Sequence, residues 1–242
     1  MLWFSLFDKN EYVGSEPAFI AENTIDGIAH LEKNYKVVLL ELEQYFKENK
    51  LENYFNNVML ENASSWKVRS LRVWGVEMYQ YQKFFPETMK LMSKINGVLT
   101  ISFNVLEPNS NIKPHCGDTN GVIRYHLGLV VPQPSPVCAL KVKGEVMGWE
   151  EGKSFGFMDG YIHEAWNHSD QRRFILLFDV LQPQYANKKS RICATALTSL
   201  YLQQLGNIFP FLYKVNRKIF YLASPLIWIL QLAIPIRNRL KK

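Results

Sequence analysis

The chain has 242 residues, of which 48% are hydrophobic, 14% aromatic and 21% charged, which excludes a disordered chain and suits one folded domain with an appendage. Its three cysteines, Cys116, Cys138 and Cys193, contain no CxxC pair, so neither a disulfide framework nor a zinc knuckle is expected. The net charge of +6 belongs to one end: ten of the 28 Lys and Arg residues fall from Lys188 onward, where no Asp or Glu occurs, leaving residues 1–187 with 18 basic against 22 acidic residues. That asymmetry argues against a nucleic-acid partner and for a basic, apolar tail suited to a membrane surface.

In chain order, Met1–Phe7 is too short an apolar run for a secretory signal and lacks a basic start, so a reducing, cytoplasm-facing location is expected. From Thr24 to about Lys50, Ile28, Leu31, Tyr35, Val38, Leu42 and Tyr45 recur at three- and four-residue steps, predicting one amphipathic helix with Asn23 or Thr24 as its cap. A second helix is predicted from Pro86 to near Asn96-Gly97. Short β-rich runs follow at Val98–Leu106, Val122–Val131, Cys138–Val142, Ser154–Met158 and Phe174–Leu181, separated by turn residues, which predicts a sandwich or jelly roll. Beyond Pro183 come a basic linker, a helix over Ile192–Leu205, and Ile219–Ile236, an uncharged stretch of 18 residues flanked by Arg and Lys. At ~1.5 Å per residue that stretch would reach roughly 27 Å, just short of a hydrocarbon core. Pro225 and Pro235 interrupt it, so a full span, an interfacial anchor and a helix docked on the domain all stay open. The chain thus divides into a scaffold (1–96), a catalytic core of the same domain (97–187) and a membrane-associating tail (188–242).

The chemistry-bearing residues form an ordered set. Pro114-His115 lies in a loop, and Arg124 and His126 sit two apart on a strand, where alternation turns both to one face and Tyr125 to the other. His163 follows 48 residues after His115, and Arg173 ten residues later opens the apolar run to Asp179. Two imidazoles can hold iron(II) while leaving adjacent positions for a bidentate 2-oxo acid and then dioxygen. One guanidinium at the mouth of an apolar strand can grip the distal carboxylate of 2-oxoglutarate as a planar fork. Two residues after His115, where a third, carboxylate ligand would stand, the chain has Gly117. A two-histidine site is therefore predicted, with water in the third position and Asp118 as its hypothetical support. Asp159 either caps a turn or orients His163, Cys116 reads as a small filler, and Glu164 receives no ligand role.

Pro114-His115, the strand Arg124-Tyr125-His126-Leu127-Gly128-Leu129, His163-Glu164-Ala165-Trp166-Asn167, and Arg173 running to Asp179-Val180 resemble the aspartyl/asparaginyl β-hydroxylase family over roughly Asn34 to Pro183. The resemblance implies a mainly β, cupin-like double-stranded β-helix with flanking helices, and chemistry with iron(II), 2-oxoglutarate and O2. It implies that His115 and His163 are the metal ligands, that Arg173 binds the distal carboxylate, and that Arg124 and His126 contact the oxo-acid end. Asn104 stands where protein-modifying members carry Ser beside that carboxylate and can still donate a hydrogen bond. Trp66 resembles an aromatic near the cosubstrate in some relatives. The wording around Arg124 and His163 looks closer to a bacterial branch of lipid A and ornithine-lipid hydroxylases, which implies a membrane-lipid acyl chain as substrate. The alternatives are a peptidyl aspartyl/asparaginyl hydroxylase with a protein substrate, and a jelly-roll binding protein without catalysis.

Overall fold

Apolar residues alternate with polar or small ones along much of the segment from Val98 to Leu181, and the chain there forms antiparallel strands buried on both faces. The computed structural model describes residues 1–8, 11–20, 25–62, 64–215 and 217–240; the caps expected at Asn23 or Thr24 lie outside them. In chain order the elements are β1 (Phe19–Ile20), α1 (Ile28–Lys33), α2 (Tyr35–Glu48), β2 (Glu52–Asn53), β3 (Trp66–Val73), β4 (Val76–Glu77), α3 (Tyr79–Gln82) and α4 (Pro86–Met92). Then come β5 (Val98–Leu106), β6 (Ser110–His115), β7 (Val122–Val130), β8 (Cys138–Val142), β9 (Glu145–Gly148), β10 (Ser154–Phe157), β11 (His163–Asn167), β12 (Arg173–Leu181), α5 (Lys189–Ile208) and α6 (Ser224–Leu240).

Two antiparallel sheets make the double-stranded β-helix. One runs β1-β10-β7-β12-β5-β3-β2 with β4 attached to β3, and the other runs β6-β11-β8-β9. Period-two alternation sorts the larger sheet. Phe174, Leu176, Phe178 and Val180 of β12, with Tyr125, Leu127 and Leu129 of β7, pack in one core with Leu31 of α1 and Val38 and Leu42 of α2. On the opposite face Ile175 and Leu177 join a second core with Ile112, Leu140 and Val142 from the smaller sheet. Arg173 and Asp179 share that inner face with Ile175 and Leu177, so polar groups enter the barrel because their strand positions leave no alternative.

The helix predicted over Thr24–Lys50 is two helices. Asn34 interrupts it at φ −109°, ψ 16°, and its Nδ2 donates to the His30 carbonyl at 2.7 Å, a local bond that competes with the helical ladder. Glu41 of α2 caps α4: its carboxylate accepts from the Glu87 and Thr88 amides at 2.8 Å each, while Pro86 occupies the first turn.

The tail forms α5 and α6. Ile192, Cys193, Ala196 and Leu197 bury α5 against Trp74, Leu99, Val122 and Leu181. In α6 both the inward and the outward faces are apolar, unlike an ordinary surface helix. Ile227 and Ile234 are buried, and Asn238, on the same stripe, donates to the Gly75 carbonyl at 2.7 Å. Leu226, Trp228, Ile229, Leu232 and Ile236 are exposed.

Candidate metal and oxo-acid site

His115 ends β6 and His163 begins β11, and the two are directly paired across the ladder. Opposed side chains on adjacent strands stand about 5 Å apart at Cβ, and here the ring centroids are 4.2 Å apart at an interplanar angle of 57°. Each Nδ1 lies against a carbonyl two residues upstream, Lys113 at 2.7 Å and Tyr161 at 2.8 Å. A carbonyl only accepts, so both Nδ1 atoms carry the proton and both Nε2 lone pairs are left to a metal. Burial pulls the pKa of His115 down to about 4, and pulls His163 well below the ordinary imidazole value, with His115 adding to the effect. Both rings are neutral at physiological pH, the form that ligates.

Among the described residues no cluster of three or more His, Cys, Asp or Glu side chains is placed to hold a metal. Gly117 explains part of this: a Cβ there would collide with Asp159 Oδ2. Asp159 thus fills the space a side chain at 117 would need, and its Oδ1 lies 3.7 Å from His163 Nε2. The carboxylate beside the histidines is Asp159. Asp118 instead reaches α5, where Gln203 Nε2 stands 3.5 Å from its Oδ1. Glu164 pairs with Lys141 at 3.1 Å.

The inner face of the larger sheet supplies the rest. Register sets Asp179 opposite Arg124 and Leu177 opposite His126. The fork of Arg124 donates to Asp179 through Nε at 2.7 Å and Nη2 at 3.0 Å, and its Nη1 reaches Asp159 Oδ1 at 2.5 Å. Its N–H groups are therefore committed to two carboxylates. Burial pushes the Asp159 carboxyl up, to about 7, against the pull of Arg124. Asn104 accepts from Trp66 Nε1 at 2.9 Å, and its Nδ2 donates to Ser102 Oγ at 2.8 Å. Trp66 in turn stacks on Tyr54 with centroids 3.8 Å apart. One chamber is lined by Trp66, Asn104, His115, Arg124, His126, His163 and Arg173, so all seven expected residues border the same space.

Two groups in that chamber have unmet needs. Arg173 is 2% exposed, and its Nε and Nη1 have no hydrogen-bond partner. Its guanidinium lies 4.1 Å over the Trp149 ring, and burial pulls its pKa down to about 10. Trp149 Nε1 also donates to His126 Nδ1 at 3.3 Å, which puts the His126 proton on Nε2, a buried atom without a partner. A buried guanidinium without an anion is costly. The charges suit a small dianion, with the Arg173 fork for one end and the His126 Nε2 donor for the other, beside an ion held by the two imidazole Nε2 lone pairs. Iron(II) fits the two neutral nitrogens and the space left open by Gly117.

Sequence reasoning missed Trp149, which lies between β9 and β10 in no motif, and the Arg124–Asp179 pair. The pair was readable in part, because Asp179 is three strand steps from Arg173 on one face; its partner needed the inter-strand register.

The sequence profile of the aspartyl/asparaginyl β-hydroxylase family matches residues 32–183. An ornithine lipid ester-linked acyl 2-hydroxylase of Rhizobium tropici is 35% identical over 184 residues, covering 74% of this chain and 65% of that protein. The aspartyl/asparaginyl β-hydroxylase of Mus musculus is 29% identical over 171 residues, covering 68% of this chain and 22% of that protein. The chain therefore spans less than two thirds of the length of these relatives. Among solved structures, a Pseudomonas putida prolyl-4-hydroxylase is similar at 14% identity and a TM-score of 0.44, covering 64% of this chain and 98% of that one. With the family profile extending over more than half of its length, this chain belongs to the aspartyl/asparaginyl β-hydroxylase family.

Proposed function

We propose that this protein is an iron(II)- and 2-oxoglutarate-dependent dioxygenase that hydroxylates an unactivated C–H bond in a membrane-lipid acyl chain. The observation that carries the reaction class is the buried Arg173, with Nε and Nη1 unpartnered, in one chamber with two imidazoles whose Nδ1 atoms are taken by backbone carbonyls, which turns the Nε2 lone pairs toward a metal. Bound iron(II) would supply dioxygen activation and C–H oxidation, with 2-oxoglutarate and O2 converted to succinate and CO2 as the substrate gains a hydroxyl.

His115 and His163 would hold the metal, each kept in its ligating tautomer by the carbonyl behind it. Arg173 takes the distal carboxylate, with Trp149 stacked against the guanidinium to fix its plane. His126 donates from Nε2 to the oxo-acid end. Asp159, held by Arg124, accepts a hydrogen bond beside the metal position left open by Gly117 and so orients what occupies it. Arg124 is a positioning residue whose charge balances Asp159 and Asp179. Trp66 and Asn104 close the chamber as a hydrogen-bonded pair, and the apolar side chains of Phe157, Leu140 and Ile175 keep bulk water out.

The acyl-chain substrate is supported by the Rhizobium tropici relative and by the tail. The segment Ile219–Leu240, uncharged up to Ile236, is long and apolar enough to cross a membrane, yet one stripe of it docks on the domain while Leu226, Trp228, Ile229, Leu232 and Ile236 face outward. We read α6 as lying in the interface, on the cytoplasmic leaflet, whose anionic lipids attract the ten basic residues from Lys188 onward. The second reading, a peptidyl aspartyl/asparaginyl hydroxylase, is favoured by the Mus musculus relative. Incubating the protein with iron(II), 2-oxoglutarate and either lipid vesicles or acidic peptides separates the two: a 16-Da gain on lipid is expected, and a gain on peptide alone contradicts the lipid reading. A protein that binds metal but forms no succinate with either would be a binding module.

A further inference from the structure

Two cavities reach His115 from outside the chamber. One, of about 380 Å³, has apolar walls that include Phe55, Trp74 and Leu200 but is also bordered by the charged side chains of Glu52, Arg69, Asp118, Arg124, Asp159 and Asp179, which hydrocarbon would have to desolvate. The other, of about 520 Å³, ends on His115 and Cys116 and is walled by α5 and the tail. Ser199, Leu202, Gln203 and Gly206 border it at spacings of three, four and seven, so one face of α5 forms a continuous wall. Gly206 is buried there. Leu212, Val215 and Phe220 form the other wall. Asn56 Nδ2 donates to Gln203 Oε1 at 2.8 Å, tying the wall to the loop before β3.

The outside of that second wall is also apolar. Phe209, Phe211, Ile219, Tyr221 and Leu222 are between 49% and 77% exposed, and the outward residues of α6 extend the same surface. Contiguous apolar patches of this kind on a basic segment mark a bilayer contact. Phe7 stacks on Tyr221 at 5.0 Å, and Leu6 packs with Ile227 and Phe220, so the N-terminus clamps this segment over the cavity.

We propose that the cavity between α5 and the wall of Leu212, Val215 and Phe220 is the acyl-chain subsite, through which the hydrocarbon of a membrane lipid passes from the bilayer to His115 without crossing water. The inference rests on the lipid reading given above and names its binding site. The length of the groove measured from His115 then decides which acyl chains are accepted, and Leu202 and Gly206 are the specificity-determining positions. Leu202→Trp blocks the groove; Gly206→Leu shortens it.

Photolabelling tests this on the 242-residue chain bound to vesicles of phosphatidylglycerol and phosphatidylethanolamine, with a phosphatidylglycerol carrying a diazirine within one acyl chain. Adducts located by peptide mass spectrometry are expected on the segment 199–206 and on Leu212, Val215 and Phe220, and Leu202→Trp is expected to reduce them at least tenfold while vesicle flotation is retained. Gly206→Leu is expected to shift product formation toward shorter acyl chains. Adducts confined to the outward residues of α6, or to Glu52, Tyr54 and Tyr81 beside the charged cavity, overturn the proposal, as does undiminished labelling of a folded Leu202→Trp protein. Lipid hydroxylation accompanied by labelling at the charged cavity would sink the groove and leave the lipid reading intact. Hydroxylation of peptide alone would sink the lipid reading itself.

Discussion

Arg173 brings a full charge to a site where two of its nitrogens have no partner, a cost that the proposed binding of the 2-oxoglutarate carboxylate would offset. Two opposite effects of Arg173→Met follow. Without 2-oxoglutarate the variant should melt at a higher temperature than the parent, since a buried unpaired cation has been replaced by a packed thioether, worth about 1–4 kcal/mol. Its affinity for 2-oxoglutarate should fall by about 30-fold or more, from the loss of ~2 kcal/mol or more at a buried charge pair, as calorimetry would record. A lower melting temperature with unchanged affinity would contradict both. At Gly117 the constraint is space: Gly117→Ala should destabilise the protein by displacing Asp159, and the loss should be smaller in an Asp159→Ala background, a coupling that a double-mutant cycle reads directly. The two histidines and Arg173 were legible in the sequence because imidazole, imidazole and guanidinium occur there in an order with few other uses. The Trp149 stack and the Arg124–Asp159–Asp179 network were not, because each depends on which strand lies beside which.

At the scale of elements, the strands follow from alternation and turn residues, and the expected runs Val98–Leu106 and Cys138–Val142 coincide with β5 and β8. The helix expected over Thr24–Lys50 failed at Asn34, since apolar periodicity continues across a residue whose side chain caps the preceding turn. The Glu41 carboxylate that caps α4 is likewise invisible locally, 46 residues from Glu87. Glu41→Ala should cost about 1–2 kcal/mol in chemical denaturation by leaving two amides of α4 unpaired. Asp118 carries a pH signature. Burial raises its pKa from 3.8 to about 6, so the folded state holds its proton more tightly than the unfolded state. Its contribution to stability is therefore fully favourable below about 3.8 and is lost as pH rises through about 6. Asp118→Asn should raise stability at pH 7 to 8 relative to the parent and leave it unchanged near pH 3; an equal effect at both pH values would contradict the assignment.

For the whole molecule, the charge asymmetry read from composition has a structural counterpart: a basic tail whose apolar residues face outward beside a catalytic barrel. Replacing Trp228 and Leu232 together by Glu should abolish flotation with anionic vesicles without lowering the melting temperature, because both side chains are exposed. Composition could not choose between spanning and lying on the bilayer; the docked stripe of Ile227, Ile234 and Asn238 favours the second. The central claim is that one chamber binds metal through His115 and His163 and a 2-oxo acid through Arg173. Its most direct test is an anaerobic titration of 2-oxoglutarate into the iron(II)-loaded protein, followed by the visible charge-transfer absorption of the chelate. One equivalent should develop the band in the parent, with no band when either histidine is replaced by Ala and a much weaker affinity in Arg173→Met. An intact, folded parent that takes up no iron, or a band that persists without His163, would contradict it.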